Sequence, residues 1–270
     1  MSYLETNAKV ITFTKGELEV RIFPTREEMG REAARNVSAT IQKLLENKNE
    51  INMIFAAAPS QSDFMKALIQ DKHIQWEKIN AFHMDEYIGL EEEVPQGFGN
   101  FLRERIFSKV PFKSIHYING RANDPLAECE RYTVLLTQYP VDMVCLGIGE
   151  NGHIAFNDPP VADFNDPKQV KVVKLDLACR QQQVNENLFA EIDLVPTHAI
   201  TVTIPALLSA KYMFCMVPAK NKAAAVYHTL NDNISEECPA TILRNQKDAI
   251  LYLDRDSASL LVQNHHEEKN

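Results

Sequence analysis

The chain has 270 residues, of which 45% are hydrophobic and 24% are charged, and its formal net charge is −9. This length and composition suit a globular protein with one large α/β domain or two small ones. The negative charge argues against nucleic acid and anionic membrane as partners, because both need a basic surface. An anionic small molecule is acceptable as a ligand only if a local cationic pocket receives it.

The cysteines are five in number, form no CxxC pair and are scattered along the chain as Cys129, Cys145, Cys179, Cys215 and Cys238. A disulfide framework or a structural zinc site is therefore not expected, whereas a reducing compartment is. The N-terminal sequence MSYLETNAKV lacks the basic start and apolar core of a secretory signal. No stretch has the roughly 18 apolar residues of a membrane span. We therefore expect a cytoplasmic protein.

In chain order, strand-like patterns alternate with helical ones. Residues 17–23 alternate as a strand, and Thr25 with Glu28 predicts a capping box at the start of a long amphipathic helix. Further strands are predicted at 51–58, 79–84, 141–146, 170–175, 199–204, 212–217 and 249–253, and further helices at 63–69, 95–110, 125–138, 223–230 and from about 256. The final HHEEKN is expected to fray. This alternation predicts an α/β fold: a single Rossmann-like domain over 1–270, with a mostly parallel sheet and helices on both faces.

The stretch 141–160, VDMVCLGIGENGHIAFNDPP, joins a buried strand to a glycine-rich loop. Polar side chains just past the carboxyl end of a buried strand lie where open α/β sheets bind ligands. The glycine spacing alone is equally typical of an ordinary turn. Within the loop, His153 suits acid–base chemistry near neutral pH, and Asn151 and Asp158 stand beside it. The alternative for His153 is a hydrogen-bonded structural histidine.

Polar residues also follow other strands at the same predicted edge of the sheet. Asp85 is a candidate base, or alternatively a helix cap or ion-pair partner. Lys222 precedes an Ala-rich helix, where it can bind a phosphate with the helix N-terminus or simply be solvated. The loop 59–62 faces the same crevice in this prediction. Arg180 stands among amide side chains suited to hydroxyls and phosphate oxygens, or alternatively in a surface loop.

Two kinds of chemistry are not expected from these motifs. No serine or cysteine lies in a nucleophile elbow, which argues against covalent acyl chemistry. The histidines lack the HxH or HExxH spacing of a catalytic metal site. General acid–base chemistry remains.

The segments LGIGENGHIAFNDPP and HMDEYIGL closely resemble the two signature segments of glucosamine-6-phosphate deaminases, also called isomerases. These enzymes share a superfamily with 6-phosphogluconolactonases. The similarity extends over residues 17–260 and includes the VPTHAITV segment and the Lys222 loop. Ile154 and the F-N-D-P ending match the deaminases, because the lactonase branch has a threonine after the histidine and lacks that ending.

The resemblance implies a reaction that needs no metal and no cofactor. Glucosamine 6-phosphate is ring-opened, isomerised from aldose to ketose, and loses ammonia to give fructose 6-phosphate. By position, Asp85 is implied to be the base that moves a proton between C2 and C1. His153 is implied to act in ring opening, and Asn151 and Asp158 to orient and tune it.

For the phosphate, the resemblance implies a site built from Lys222, Arg180 and the loop residues Ser60, Gln61 and Ser62. The sequence departs from the family pattern here. The loop reads PSQSD, without the usual glycines and with a carboxylate, Asp63. The Arg180 segment is about two residues longer than expected, and the family's second arginine is replaced by Asn187 or absent. Asp158 itself stands where the family usually has glutamate.

The expected partner is therefore a small-molecule sugar phosphate, with no nucleic acid and no membrane, and a homo-oligomer is left open. Two alternatives to the deaminase remain at this stage. One is a sugar-lactone hydrolase of the 6-phosphogluconolactonase type on the same scaffold. The other is a non-catalytic sugar-phosphate sensor that has lost part of the pocket, although such a binder would have no need of both Asp85 and His153.

Overall fold

The structure is a computed structural model that describes residues 9–261. Its strands are β1 Ile11–Lys15, β2 Leu18–Phe23, β3 Ile51–Phe55, β4 Ile79–His83, β5 Asp85–Tyr87, β6 Ser114–His116, β7 Met143–Leu146, β8 Val170–Lys174, β9 His198–Val202, β10 Tyr212–Val217 and β11 Ala249–Asp254. Its α-helices are α1 Arg26–Leu45, α2 Ser62–Leu68, α3 Phe98–Leu102, α4 Pro125–Gln138, α5 Leu177–Asn185, α6 Ile204–Leu208 and α7 Ala223–Asn231, and α3 continues as a π-helix over Arg103–Phe107.

Eight strands form the main sheet, in the order β1-β2-β11-β10-β7-β3-β4-β6. Every neighbouring pair is parallel except β1 with β2 at one edge. From β3 the chain winds outward to β4 and β6, then returns to add β7 on the other side of β3. The boundary between β3 and β7 is thus a switch point, where the carboxyl ends of parallel strands leave a crevice for a ligand.

Two clusters of buried side chains cover the two faces of the sheet. In β3, Met53 and Phe55 pack in one cluster and Ile54 in the other, because successive side chains of a strand point to opposite faces. The first cluster includes residues of α1, α2 and α3, and the second includes residues of α4, α6 and α7. The prediction of a mostly parallel sheet with helices on both faces is confirmed.

The predicted strands near 170–175 and 199–204 form β8 and β9, but they do not join the main sheet. With β5 they make a separate antiparallel sheet in the order β5-β9-β8. One residue, Met84, separates β5 from β4, and its carbonyl accepts a hydrogen bond from the Val202 N–H at 2.7 Å. The small sheet is therefore attached at the carboxyl end of β4, beside the crevice.

The helix starts follow local chemistry, with one difference. Asp124 caps α4 by accepting hydrogen bonds from the first-turn N–H groups, and Pro125 occupies the first turn as predicted. Thr25 caps α1 by accepting from the Glu28 N–H at 3.2 Å. Only this half of the capping box forms. The Glu28 carboxylate accepts a hydrogen bond from the Thr25 hydroxyl instead of the Thr25 backbone N–H.

The predicted C-terminal helix falls partly within the described residues. A turn follows β11, and helical residues begin at Ser259. The segment HHEEKN, for which fraying is predicted, and the first eight residues of the sequence lie outside 9–261. Within that range, no helix has the length and apolar character needed to cross a bilayer.

Candidate active site

A narrow cavity lies at the carboxyl ends of four neighbouring strands, β4, β3, β7 and β10. Its walls are formed by Ala56, Ala57, Ala58, Ser60, Met84, Asp85, Phe98, Gly147, Ile148, Gly149, His153, Ala155, Phe156, Gln182, Gln183, Glu186, Leu188 and Lys222. Asp85, His153 and Lys222, which are separated by many residues along the chain, therefore meet at one cavity. The cavity volume is only about 60 Å³.

His153 is held by two side chains of its own loop. Its Nδ1 lies 2.7 Å from Asn151 Oδ1 and 2.9 Å from Asp158 Oδ1, and Asn151 Nδ2 donates to the same Asp158 oxygen at 3.0 Å. Both neighbours of Nδ1 are acceptors, so Nδ1 carries the hydrogen. In the neutral ring, Nε2 is then the basic nitrogen available for proton transfer.

Gly149 makes room for the His153 ring. A Cβ at this position would lie 2.1 Å from His153 Cε1 and 2.3 Å from both ring nitrogens. The ring therefore packs directly on the Gly149 backbone, whose N–H donates to the His153 carbonyl at 2.9 Å. The glycine is needed here for close approach of the catalytic candidate, which distinguishes this loop from an ordinary turn.

Asp158 is completely buried yet ionised at neutral pH. Burial by itself would raise its pKa, but the charge of His153 and hydrogen bonds from His153 and Asn151 outweigh that effect and lower the pKa below its ordinary value. The Asp158 carboxylate thus fixes the imidazole orientation and stabilises the protonated ring.

Cys179 adds a thiol to the same cluster. Its Sγ, the His153 ring and the Asp158 carboxylate place one potential ligand atom each within 4.8 Å of one another, and these are residue types that bind zinc. Burial, together with the Asp158 charge, raises the pKa of Cys179 well above its ordinary value, so the thiol is protonated at neutral pH. A metal would have to displace this proton and the hydrogen on His153 Nδ1.

Asp85 is the second buried carboxylate of the cavity, and its pKa moves in the opposite direction. Burial raises it well above the ordinary value, and the negative charges of Glu86 and Asp158 add to the effect. A carboxylate that holds its proton more tightly is a stronger base once ionised, so burial makes Asp85 a stronger proton acceptor than an exposed aspartate.

Glu86, next along β5, plays the capping role considered for Asp85. Its carboxylate accepts hydrogen bonds from the N–H groups of Tyr87, Phe98 and Gly99, at 2.9, 3.0 and 2.8 Å. Two of these donors belong to the first turn of α3, so Glu86 anchors that helix and places Phe98 on the cavity wall. Asp85 is left available to the cavity.

Lys222 reaches the cavity wall as a buried side chain, which excludes the solvated alternative. Its Nζ lies 3.1 Å from Glu186 Oε1, at the end of α5. Lys222 follows Ala219, whose φ of +83° is unusual for a residue with a side chain and whose N–H donates to the Asp254 carboxylate. Such strained conformations concentrate at functional sites because surrounding contacts must hold them.

The predicted phosphate loop only partly reaches the cavity. Ser60 lines it, whereas Ser62 begins α2 and is not among the lining residues. Gln61 is fully buried, and its Nε2 donates to Ser60 Oγ and to the Met216 carbonyl, both at 3.1 Å. Asp63 pairs with Arg26 at 2.6 Å, which accounts for the carboxylate in this loop.

Arg180 is not brought to the cavity. It lies in α5, and its guanidinium donates to the backbone carbonyls of Val195 and Ile192, at 2.9 and 2.6 Å. These bonds tie α5 to the turn before β9. Within residues 9–261, Lys222 is thus the only lysine or arginine that lines the cavity.

A family model described as "Glucosamine-6-phosphate isomerases/6-phosphogluconolactonase" matches residues 24–252, most of the chain. The chain belongs to this glucosamine-6-phosphate isomerase/6-phosphogluconolactonase family.

The chain is similar to two glucosamine-6-phosphate deaminases and shares its fold with a third protein. The glucosamine-6-phosphate deaminase of Streptococcus suis (strain 05ZYH33) is 36% identical over 207 residues, which cover 77% of this chain and 86% of the relative. The solved structure of a monomeric glucosamine-6-phosphate deaminase has a TM-score of 0.81 and 33% identity, covering 89% of this chain and 99% of that one. The 6-phosphogluconolactonase of Trypanosoma brucei shares the fold, with a TM-score of 0.74 and 15% identity over 93% of this chain and all of that one.

In this family member, α5 has a polar face that was not predicted from the sequence. Cys179, Gln182, Gln183 and Glu186 recur at helical spacing and all point toward the cavity region, three of them as lining residues. Their spacing of i, i+3, i+4 and i+7 is the signal that could have identified a helix with a polar functional face. The apolar pattern normally used to find helices is weak in this segment.

Proposed function

We propose that this chain is a glucosamine-6-phosphate deaminase, which converts glucosamine 6-phosphate and water into fructose 6-phosphate and ammonia. The observation that carries the proposal is one cavity that combines a buried base, Asp85, with an imidazole, His153, oriented by the buried Asp158 carboxylate. The named deaminases at 33% and 36% identity support the same activity.

Ring opening is the task of His153 in this scheme. With Nδ1 protonated and bonded to Asp158, Nε2 accepts the proton of the sugar O1 hydroxyl and returns a proton to the ring oxygen as the C1–O5 bond breaks. The ionised Asp158 stabilises the intermediate imidazolium, so the product of this step is the open-chain aldehyde.

Isomerisation and deamination follow at Asp85. Its carboxylate removes the proton from C2 and delivers it to C1, while a proton passes from the amino group to O1. The amino-aldehyde thus becomes its isomer, a C2 imine with a hydroxyl at C1. Water then adds to C2, and the C–N bond breaks to release ammonia and leave the ketone of fructose 6-phosphate. The net deamination is thus a hydrolysis of a C–N bond.

In this scheme Lys222 is the group that binds the phosphate, because within residues 9–261 it is the only lysine or arginine that lines the cavity. We propose a cytoplasmic location, which is supported by five unpaired cysteine thiols.

The direct test is incubation of the purified protein with glucosamine 6-phosphate. We expect ammonia and fructose 6-phosphate in equal amounts, measured by coupled enzymatic assays, and an Asp85→Asn variant as the inactive control. Absence of turnover above that control would contradict the deaminase proposal. Hydrolysis of 6-phosphogluconolactone without ammonia would favour the lactonase instead, and ligand-induced thermal stabilisation without any product would favour a sensor.

Replacement of Gly149 by alanine should lower kcat by about 100-fold, because the new Cβ would collide with the His153 ring and displace it by an ångström or more. Gly97→Ala is a suitable control: Gly97 has an ordinary φ of −62°, and its nearest neighbour is the flexible Asn100 side chain at 3.3 Å. Equal kcat values for the two variants would show that the Gly149–His153 contact is unimportant.

A further inference from the structure

The only cation among the described lining residues is already paired within the chain. Lys222 is 4% exposed, and its Nζ lies 3.1 Å from Glu186 Oε1, which itself lines the cavity. The positive charge that would attract a phosphate is therefore balanced by a carboxylate before any ligand arrives.

Glu186 is held in this position by a chain of hydrogen bonds. Gln182 Nε2 donates to the same Oε1 at 2.8 Å, and Gln182 Oε1 accepts from the Glu150 N–H, also at 2.8 Å. Gln182 and Glu186 are one helical turn apart, so they present neighbouring side chains to the cavity. The glycine-rich loop, α5 and Lys222 are thus connected through this pair.

A phosphate monoester at neutral pH carries nearly two negative charges. If it bound Lys222 with Glu186 in place, two anionic groups would share one buried ammonium group, and such contacts between like charges are strongly unfavourable. The cavity of about 60 Å³ is also far smaller than the roughly 300–1,000 Å³ of typical ligand pockets. A sugar phosphate therefore needs Glu186 to move.

We propose that Glu186 is a specificity-determining residue. It forms an ion pair with Lys222 in the free protein, and any ligand that brings a dianionic phosphate to the cavity must displace it. The inference rests on the proposed function for its substrate. Glu186 lowers the affinity for phosphorylated ligands selectively, because an uncharged ligand does not compete for the Lys222 ammonium.

The test is the Glu186→Gln variant, which preserves the shape of the side chain and removes its charge. Lys222 is then a buried cation without a counter-charge, which a phosphate can supply. We expect the Kd for inorganic phosphate, measured by calorimetry, to fall about tenfold or more. The KM for glucosamine 6-phosphate should fall by a similar factor, with a smaller change in kcat.

Glu191→Gln is the matched control, since Glu191 is exposed near the same helix and loses the same charge. Unphosphorylated fructose, which is uncharged, should bind equally to the wild type and to Glu186→Gln. If Glu186→Gln is poorly folded by its melting curve, Glu186→Ala provides the same comparison.

Unchanged phosphate affinity in folded Glu186 variants would overturn the inference even if the wild type is an active deaminase. Conversely, tighter phosphate binding in a protein without turnover would support the inference and contradict the proposed function. Equal tightening by Glu191→Gln would attribute the effect to overall charge and overturn the role of Glu186.

Discussion

Replacement of Asp85 by asparagine should reduce turnover by about 10²–10⁴-fold, the usual contribution of a positioned general base. The amide has nearly the same shape, so the loss reflects the missing proton acceptor. Steady-state kinetics with glucosamine 6-phosphate measures it. A variant with more than a tenth of the wild-type kcat would exclude Asp85 as the base.

The same substitution should stabilise the fold at neutral pH. The folded protein raises the pKa of Asp85 well above its ordinary 3.8, chiefly by burial. At pH values between the unfolded pKa of 3.8 and the raised folded pKa, the folded state holds a proton on Asp85 that the unfolded state has released. The stability of the wild type therefore falls as pH rises through this window. An asparagine at position 85 does not ionise, so the variant does not lose this stability. We therefore expect the variant to melt higher at pH 7, by about 2–4 °C per kcal/mol gained.

The pH dependence provides the control for this effect. As pH falls well below 3.8, Asp85 becomes protonated in both folded and unfolded wild type, so the difference in melting temperature should shrink toward zero. Thermal unfolding of both proteins between about pH 3 and pH 8 tests this. A variant that is less stable than the wild type across the whole range would contradict the assigned burial cost.

Replacement of Asp158 by asparagine should have a comparable effect on turnover and the opposite effect on stability. Without the carboxylate, the His153 ring keeps Asn151 Oδ1 as an acceptor for the Nδ1 hydrogen but loses the negative charge that stabilises the imidazolium formed when Nε2 takes up a proton. We expect kcat to fall by about 10²–10⁴-fold. The fold should lose about 1–3 kcal/mol, because buried hydrogen-bond partners are left unsatisfied.

The sign of the pH dependence separates Asp158 from Asp85. The pKa of Asp158 is lowered in the folded protein, so its stabilising contribution is present above the ordinary value of 3.8 and is lost as pH falls through the lower folded value. The wild type should therefore exceed Asp158→Asn most at neutral pH and least in acid. Urea denaturation at several pH values measures the difference.

Asp158→Glu is the charge-preserving control. The extra methylene costs about 1–3 kcal/mol in a fully buried position. The carboxylate remains, so kcat should fall much less than in the asparagine variant. If the two variants were equally impaired, packing rather than charge at this position would be responsible.

Local sequence patterns were sufficient for most elements of the fold. The continuous apolar run of β3 is typical of a parallel strand buried on both faces, and the start of α4 at Pro125 follows from its first-turn chemistry. Both depend on neighbouring residues only. The three-residue strands β5 and β6 lacked such signals, because hydrogen bonding to β9 and to β4 defines them.

By itself, the sequence determined that polar loops after parallel strands would collect at one edge of the sheet, which brings Asp85, His153 and Lys222 to a single cavity. Only the tertiary structure decided how their charges behave. The opposite pKa shifts of Asp85 and Asp158 arise from burial and from partners that the fold supplies. The pairing of Lys222 with Glu186 joins residues 36 positions apart, and no local pattern specifies such a contact.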